Sequence, residues 1–205
     1  MRRARRVRRV AEAVAGRGDD GQAPHRQLCW RDFSLQLFTA FPRLEPVDFR
    51  PRNRDWRTDE DALDAWRAGR TGVPIVDAGM RQLQREGWMP NRVRLLAAAL
   101  LTKTLGIDWR LGAAHFFELL VDGDPASNAA NWQWVAGTGT DPRPNRTFNP
   151  VRQARRLDPQ GEYTRLHVHE LAGLSAPEVR EPWKLAARAL VRLGYPPLLV
   201  DLASR

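Results

Sequence analysis

The nine residues "ASNAANWQW", Ala126 to Trp134, set two asparagines and two tryptophans among small residues. Asparagine offers a neutral amide that both donates and accepts hydrogen bonds, and tryptophan offers an easily oxidised indole with one N–H donor. On a helix, residues two apart point roughly 200° away from each other, so Trp132 and Trp134 face opposite ways. Residues four apart share a face, which sets Asn128 beside Trp132. One side of the helix thus carries an amide and an indole together, and the other side carries a second indole. Such a helix is wedged between two different things. Just before it, Asp122, Gly123 and Asp124 read as a turn that ends in a helix cap.

The elements that must position these groups follow from composition and pattern. A chain of 205 residues, 42% hydrophobic and 28% charged, suits one globular domain with a sizeable core. No apolar run reaches the length of a membrane span. The single cysteine, Cys29, excludes an internal disulfide framework and a cysteine-based zinc site, favours an intracellular compartment, and reads as a small buried hydrophobe. No metal site is expected. Of the net charge of +9, six units come from "MRRARRVRRV" at the start, so the body is only mildly basic. Arginine outnumbers lysine 31 to 2, a bias that GC-rich coding explains for most positions. Residues 1–25 read as a basic amphipathic helix, with Val7, Val10, Ala11 and Val14 on one stripe, fading into the flexible "GRGDDGQAPH". No apolar stretch follows it, so it is no secretory signal.

From Arg26 onward the pattern is helical. Leu28, Trp30, Phe33, Leu37, Phe38 and Phe41 recur at helical spacing as one core face, and Pro42 closes that segment. A Pro- and Arg-rich loop, "EPVDFRPRNRDW", leads to a helix start at Thr58 with three acids behind it. Pro74 opens a helix that Gly87 ends; "NRVRLLAAALLTKTLG" runs as one helix to Gly106; "DWRLGAAHFFELLVDG" is the next, and Pro125 opens the tryptophan helix. Alternating strand patterns and internal repeats are both missing. The predicted class is all-α.

Taken in order, "TGVPIVDAGMRQLQREGWMPNRVRLLAAALLTKTLGIDWRLG", "FFELLVDGDPASNAANWQWVAGTGTDPRPNRTFNP" and the closing "EPW" at Glu181 to Trp183 resemble the FAD-binding helical domain of DNA photolyases and cryptochromes. The resemblance spans roughly residues 26 to 183. It is greatest to the bacterial enzymes that repair cyclobutane pyrimidine dimers. With the basic segment 1–25 read above, it implies an FAD-binding helical domain over 26–205. The implied activity is a carbon–carbon lyase: under light, reduced FAD gives an electron to a dimer flipped out of duplex DNA, the dimer splits, and the electron returns.

By that resemblance Asn128 faces the flavin N5, Trp132 lies beside the ring, and Trp134 faces the pocket for the flipped bases. Trp132, Trp109 and Trp56 form an electron relay to the surface, with Trp56 its exposed end. Taken singly, each of these indoles reads as ordinary packing. Arg31, Asn91, Arg94, Asp122, Gly123 and Asp124 contact FAD, and Arg94 and Asp122 make a buried ion pair. Gln27, Trp30, Arg31, Ser34, Asn91, Arg92, Trp134 and Gln153 serve the DNA side, and Arg143, Arg146 and Arg152 hold phosphates. The implied partner is double-stranded DNA carrying a pyrimidine dimer. A monomer in the bacterial cytoplasm, at the nucleoid through DNA and away from membranes, is expected.

Five departures from the family stand out. The phosphate-binding Thr-Ser-x-x-Ser stretch and the α/β antenna domain have no counterpart here, so no antenna chromophore is expected. Gln27 replaces a Glu, Pro90 replaces the His of "MHNR", and "DPRPNRTFNP" lacks the aromatic before its Arg. These read as an amino-terminal truncation or a misplaced start codon. Two other readings remain: a cryptochrome-like FAD photoreceptor without repair, and an inactive fragment with residual DNA binding.

Overall fold

The computed structural model describes residues 22–52, 54–143 and 147–200, all of them helix, turn or loop with no strand. The predicted amphipathic helix within 1–21 lies outside these residues, as do Arg146 and its two predecessors. Helix α1 spans Gln22–Ala40, so it starts inside the stretch expected to be flexible; Pro24 fits there because first-turn N–H groups have no helical acceptor. Helix α2 (Glu60–Arg67) is capped one residue later than expected, by Asp59, whose carboxylate accepts from the Ala62 N–H at 3.0 Å. Its inner face, Ala62, Leu63 and Trp66, is buried.

Helix α3 (Pro74–Glu86) runs through the middle of the domain and buries most of its length. Proline at its start needs no hydrogen bond, and Gly87 ends it at φ 65, a conformation costly for any side chain with a Cβ. Inside its first turn, Asp77 is fully buried and accepts from the N–H and hydroxyl of Thr71, the Gly72 N–H and the Tyr195 hydroxyl. That cluster ties the end of the described chain to the central helix, and Leu199 N–H adds a 3.0 Å bond to the Thr71 carbonyl.

Helix α4 (Asn91–Ala99) does not run unbroken to Gly106. It passes into a π turn, Leu100–Thr104, closed by Leu105 N–H to the Leu100 carbonyl. The wider turn keeps Leu100 and Leu101 in the core while Lys103 Nζ reaches the Ala136 carbonyl at 2.8 Å. Helix α5 (Trp109–Leu119) and helix α6 (Pro125–Ala136) pack against each other, and α1 packs along α6. The α5–α6 seam is close because residue 112 is glycine; a Cβ there would sit 2.2 Å from Trp132 Cη2. Around it Trp66, Phe116 and Trp132 form the aromatic centre of the core.

Helices α7 (Pro150–Leu157), α8 (Glu162–His167), α9 (Ala176–Arg180) and α10 (Ala187–Leu193) complete the described domain, with α8 laid on α3. No helix among the described residues is long and apolar enough to cross a membrane.

Several expectations for α1 and its end fail. Trp30, Phe33 and Phe41, read as part of one core face, are 59%, 41% and 49% exposed, and Cys29, read as a buried hydrophobe, is exposed. The cause is shared: α1 leans on the domain through a narrow stripe centred on buried Ser34, and the rest of its circumference is open. On α6, Gln133 is wholly buried and holds the 44–49 loop from both ends of its amide. Its Nε2 donates to the carbonyls of Leu44 (2.6 Å) and Val47 (3.1 Å), and its Oε1 accepts from Phe49 N–H at 2.7 Å.

Candidate cofactor cleft

Between α1, the 88–94 segment, the 122–124 turn and α6 lies an open cleft of about 590 Å³. Gln27, Trp30, Arg31 and Ser34 line it from α1; Asn91, Arg92 and Arg94 from the start of α4; Asp122 and Asp124 from the turn; and Trp134 from α6. An inner pocket of about 90 Å³ continues beneath, walled by Leu95, Ala98, Phe116, Trp132 and Val135 and edged by Asn128, Asp122, Gly123 and Asp124. Asn128 and Trp132 thus meet one cavity while Trp134 meets the outer cleft, as the two-residue spacing requires.

The polar groups are held by local chemistry. Asp124 caps α6 by accepting from Ser127 N–H at 2.8 Å. Asn128 Nδ2 donates to the Ala113 carbonyl on α5 at 2.9 Å, which fixes the plane of the amide. Arg94 is pinned twice, Nε to the Met89 carbonyl at 2.8 Å and Nη2 to both carboxylate oxygens of Asp122 at 3.0 Å. The pair exists but is not buried: Asp122 keeps half of its side chain exposed, because the cleft beside it is open. On α1, Trp30 is 59% exposed, and Ser34 Oγ donates back to the Trp30 carbonyl at 2.9 Å.

Other expected residues sit elsewhere. Gln153 lies on α7 and does not line the cleft. Trp109 is buried (1% exposed) and lines a separate cavity of about 260 Å³ with Asn128 and Ala129. Trp56, expected at an exposed end, is half-buried against the core with the Arg54 guanidinium 5.8 Å from its ring centre. The indole in ring contact with Trp132 is Trp66, centre to centre 6.1 Å.

The family model for the FAD-binding domain of DNA photolyase matches residues 24–205. The chain belongs to that family. A deoxyribodipyrimidine photo-lyase of Streptomyces griseus is 55% identical over 186 residues, covering 91% of this chain and 41% of that protein. Among solved structures, a bacterial class III photolyase from Agrobacterium tumefaciens aligns with a TM-score of 0.87 at 41% identity, over 95% of this chain and 42% of its own. A cryptochrome of Synechocystis aligns at 0.89 and 35% identity, over 96% and 43%. The chain therefore spans about two fifths of the length of each of these relatives.

FAD is the cofactor of the photolyase domain family. Its tricyclic ring asks for apolar walls and a polar edge, and the inner pocket offers both: Leu95, Phe116 and Trp132 as walls, the Asn128 amide and the 122–124 turn as edge. Arg31 and Arg92 stand exposed at the cleft. The residues present fit the ring. Several lining residues were not picked out from the sequence, namely Trp88 (45% exposed), Phe33, Leu95, Ser127 and Asn131. Trp88 had a signal, an indole just ahead of a helix start beside "MPNR", and Asn131 lies one turn on from Ser127. Leu95 had none, since one more leucine in an apolar helix is indistinguishable from core.

Proposed function

We propose that this photolyase-family chain holds FAD in the cleft and, so loaded, splits cyclobutane pyrimidine dimers in DNA under light. The observation that carries the reading is convergence: ten residues drawn from four separated segments, picked by motif, line one cleft above a pocket containing Asn128 and Trp132. When bound, FAD supplies the light-driven electron that opens the dimer. The chain's residues orient and shield. Trp132 and Phe116, in edge contact at 5.0 Å, keep the inner wall dry. The Asn128 oxygen, its Nδ2 committed to Ala113, is left to accept from a ring N–H. The Arg94–Asp122 fork holds the 122–124 turn against α4.

On the outer side, Trp30 and Trp134 give flat apolar surfaces for bases taken out of the stack, and exposed Arg31, Arg92, Arg143 and Arg152 meet phosphates without reading sequence. Trp132, Trp109 and Trp56 carry electrons inward when the cofactor must be reduced. The protein acts as a monomer, in the cytoplasm and at the nucleoid through DNA. A photoreceptor without repair is the second reading, favoured by the likeness to a cryptochrome at a TM-score of 0.89.

The test takes purified protein, records its near-ultraviolet and blue absorption, then illuminates it with a dimer-containing oligonucleotide after chemical reduction. Flavin bands with loss of dimers are expected, and Trp134→Ala keeps the bands but loses repair. Flavin bands without repair favour the photoreceptor. A clean protein spectrum with DNA binding leaves the inactive fragment.

A further inference from the structure

Helix α8 is fastened to the last turn of α3 through one buried imidazole. His167 is 3% exposed, and its Nδ1 lies 2.7 Å from Arg85 Nη2. A guanidinium donates and never accepts, so that ring nitrogen is the acceptor and the imidazole is neutral, with its proton on Nε2. The contact belongs to a closed circuit of side chains. Arg85 Nη2 also donates to Glu86 Oε1 at 2.8 Å, Glu86 Oε2 accepts from Gln82 Nε2 at 2.7 Å, and Gln82 Oε1 accepts from the Tyr163 hydroxyl at 2.8 Å. The Tyr163 ring meets the His167 ring edge-on, centres 4.8 Å apart, which closes the circuit one turn along α8. Just beyond, α3 ends at Gly87, whose carbonyl accepts from the Val121 N–H at 3.0 Å beside Asp122. The Met89 carbonyl accepts from Arg94 Nε at 2.8 Å. Two walls of the cleft, the 88–94 segment and the 122–124 turn, thus stand on the end of α3.

We propose that His167 is a pH-sensitive latch: neutral, it holds α8 against the last turn of α3, and on gaining a proton it loosens that turn and the cleft walls that stand on it. A proton on Nδ1 replaces the acceptor with a donor aimed at a donor, and sets two cations at hydrogen-bond distance in a buried place. Rotation of the ring is opposed by Tyr163, which packs on it and is tied to Gln82. The charged groups that face His167 are Arg85 and Glu86 from α3 and His169 from the turn after α8. The Arg81–Glu170 pair, at 2.7 Å, joins α3 to that same turn. Burial first and Arg85 second hold His167 below the ordinary imidazole value, with Glu86 opposing them and His169 adding to Arg85. The stability given by the neutral ring is therefore complete above about 6.5 and is lost as pH falls below it. Glu86, held below its ordinary value by the bond from Arg85, keeps its charge through this window.

The test is NMR on the full chain without flavin, so it stands apart from the repair reading. The His167 imidazole should titrate with a midpoint below 6.5, and Arg85→Gln should move that midpoint upward. Hydrogen-exchange protection of the Gly87, Val121 and Val168 amides, each bonded to a backbone carbonyl at 2.8–3.0 Å, is followed as the pH is lowered from neutral. Corrected for intrinsic rates, it should fall by up to about tenfold per pH unit below 6.5, the slope that uptake of one proton sets. His167→Asn, which can accept from Arg85 and takes no charge, should keep protection level through that window. His167→Phe should lower protection at every pH. A midpoint at or above 6.5, or a pH response that survives in His167→Asn, overturns the latch. Loss of protection at Val168 with Gly87 and Val121 unmoved overturns its link to the cleft. The wild-type midpoint and exchange profile decide even where a variant does not fold.

Discussion

Gly112 marks the point where α5 and α6 come closest, and replacing it with alanine measures how tightly Trp132 is seated. The added methyl would lie 2.2 Å from Trp132 Cη2, 2.6 Å from Cζ3 and 2.6 Å from Leu101 Cδ2. Carbon contacts settle near ~3.5 Å, so the ring must retreat by roughly an ångström. It has little room to do so, with Phe116 at 5.0 Å and Trp66 at 6.1 Å on its other sides. Overpacking of this kind costs about 3 kcal/mol. Alanine regains about 1 kcal/mol of helix propensity over glycine. The net loss is therefore about 2 kcal/mol, or a fall in Tm of roughly 4–8 °C for a domain of this size. Urea unfolding followed by circular dichroism gives the number, and near-ultraviolet dichroism reports the disturbed aromatic cluster. Gly173→Ala is the control, because nothing lies within 4 Å of its would-be methyl. A Gly112→Ala protein as stable as wild type, or more stable by the propensity gain, would refute the seating of Trp132 described above.

Two further outcomes are expected. Asp77→Ala strands two backbone N–H groups and two hydroxyls in a fully buried site, and should cost about 3–5 kcal/mol by urea unfolding; a loss below about 1 kcal/mol would contradict the network. Lys103 is held down to about 8 by burial first and by Arg54 second. It is charged in both states below that value, and above it only the unfolded chain keeps the proton until near 10.5, so stability should rise with pH across that window. With the side chain half-exposed, the rise is discounted to roughly 1–2 kcal/mol. Lys103→Met should flatten the profile between about pH 8 and 10.5, and a parallel profile would exclude the effect.

The helices were legible because their punctuation is strong. Pro74, Gly87, Pro125 and Gly137 stand at helix ends for steric reasons that need no tertiary context. The helical spacing of Asn128, Trp132 and Trp134 likewise fixed which residues share a cavity. Exposure was less legible. Phe33 and Cys29 lie on a helix whose apolar residues suggest a core face, yet how much of that face is covered depends on what α1 leans against. The same limit applies to Asp122, where motif and charge foretold the partner Arg94 but the openness of the cleft set its burial. The π turn after Ala99 had no local signal, since "AAALLTKT" is a good α-helical sequence. The Gln133 clamp and the Arg85–His167 contact join residues over eighty positions apart, which periodicity cannot see.

Three consecutive residues of α6 are each committed to a different neighbour: Trp132 to the aromatic core, Gln133 to the 44–49 loop and Trp134 to the open cleft. Successive helical positions differ by about 100°, so these commitments lock the helix about its own axis from three directions. A one-residue insertion or deletion between Asp124 and Trp132 would turn all three side chains away from their partners at once. No single substitution elsewhere could compensate. Changes in length along this part of the chain should therefore be tolerated in the loops on either side of the helix, before Asp124 and after Gly137, and not between the cap and the final indole.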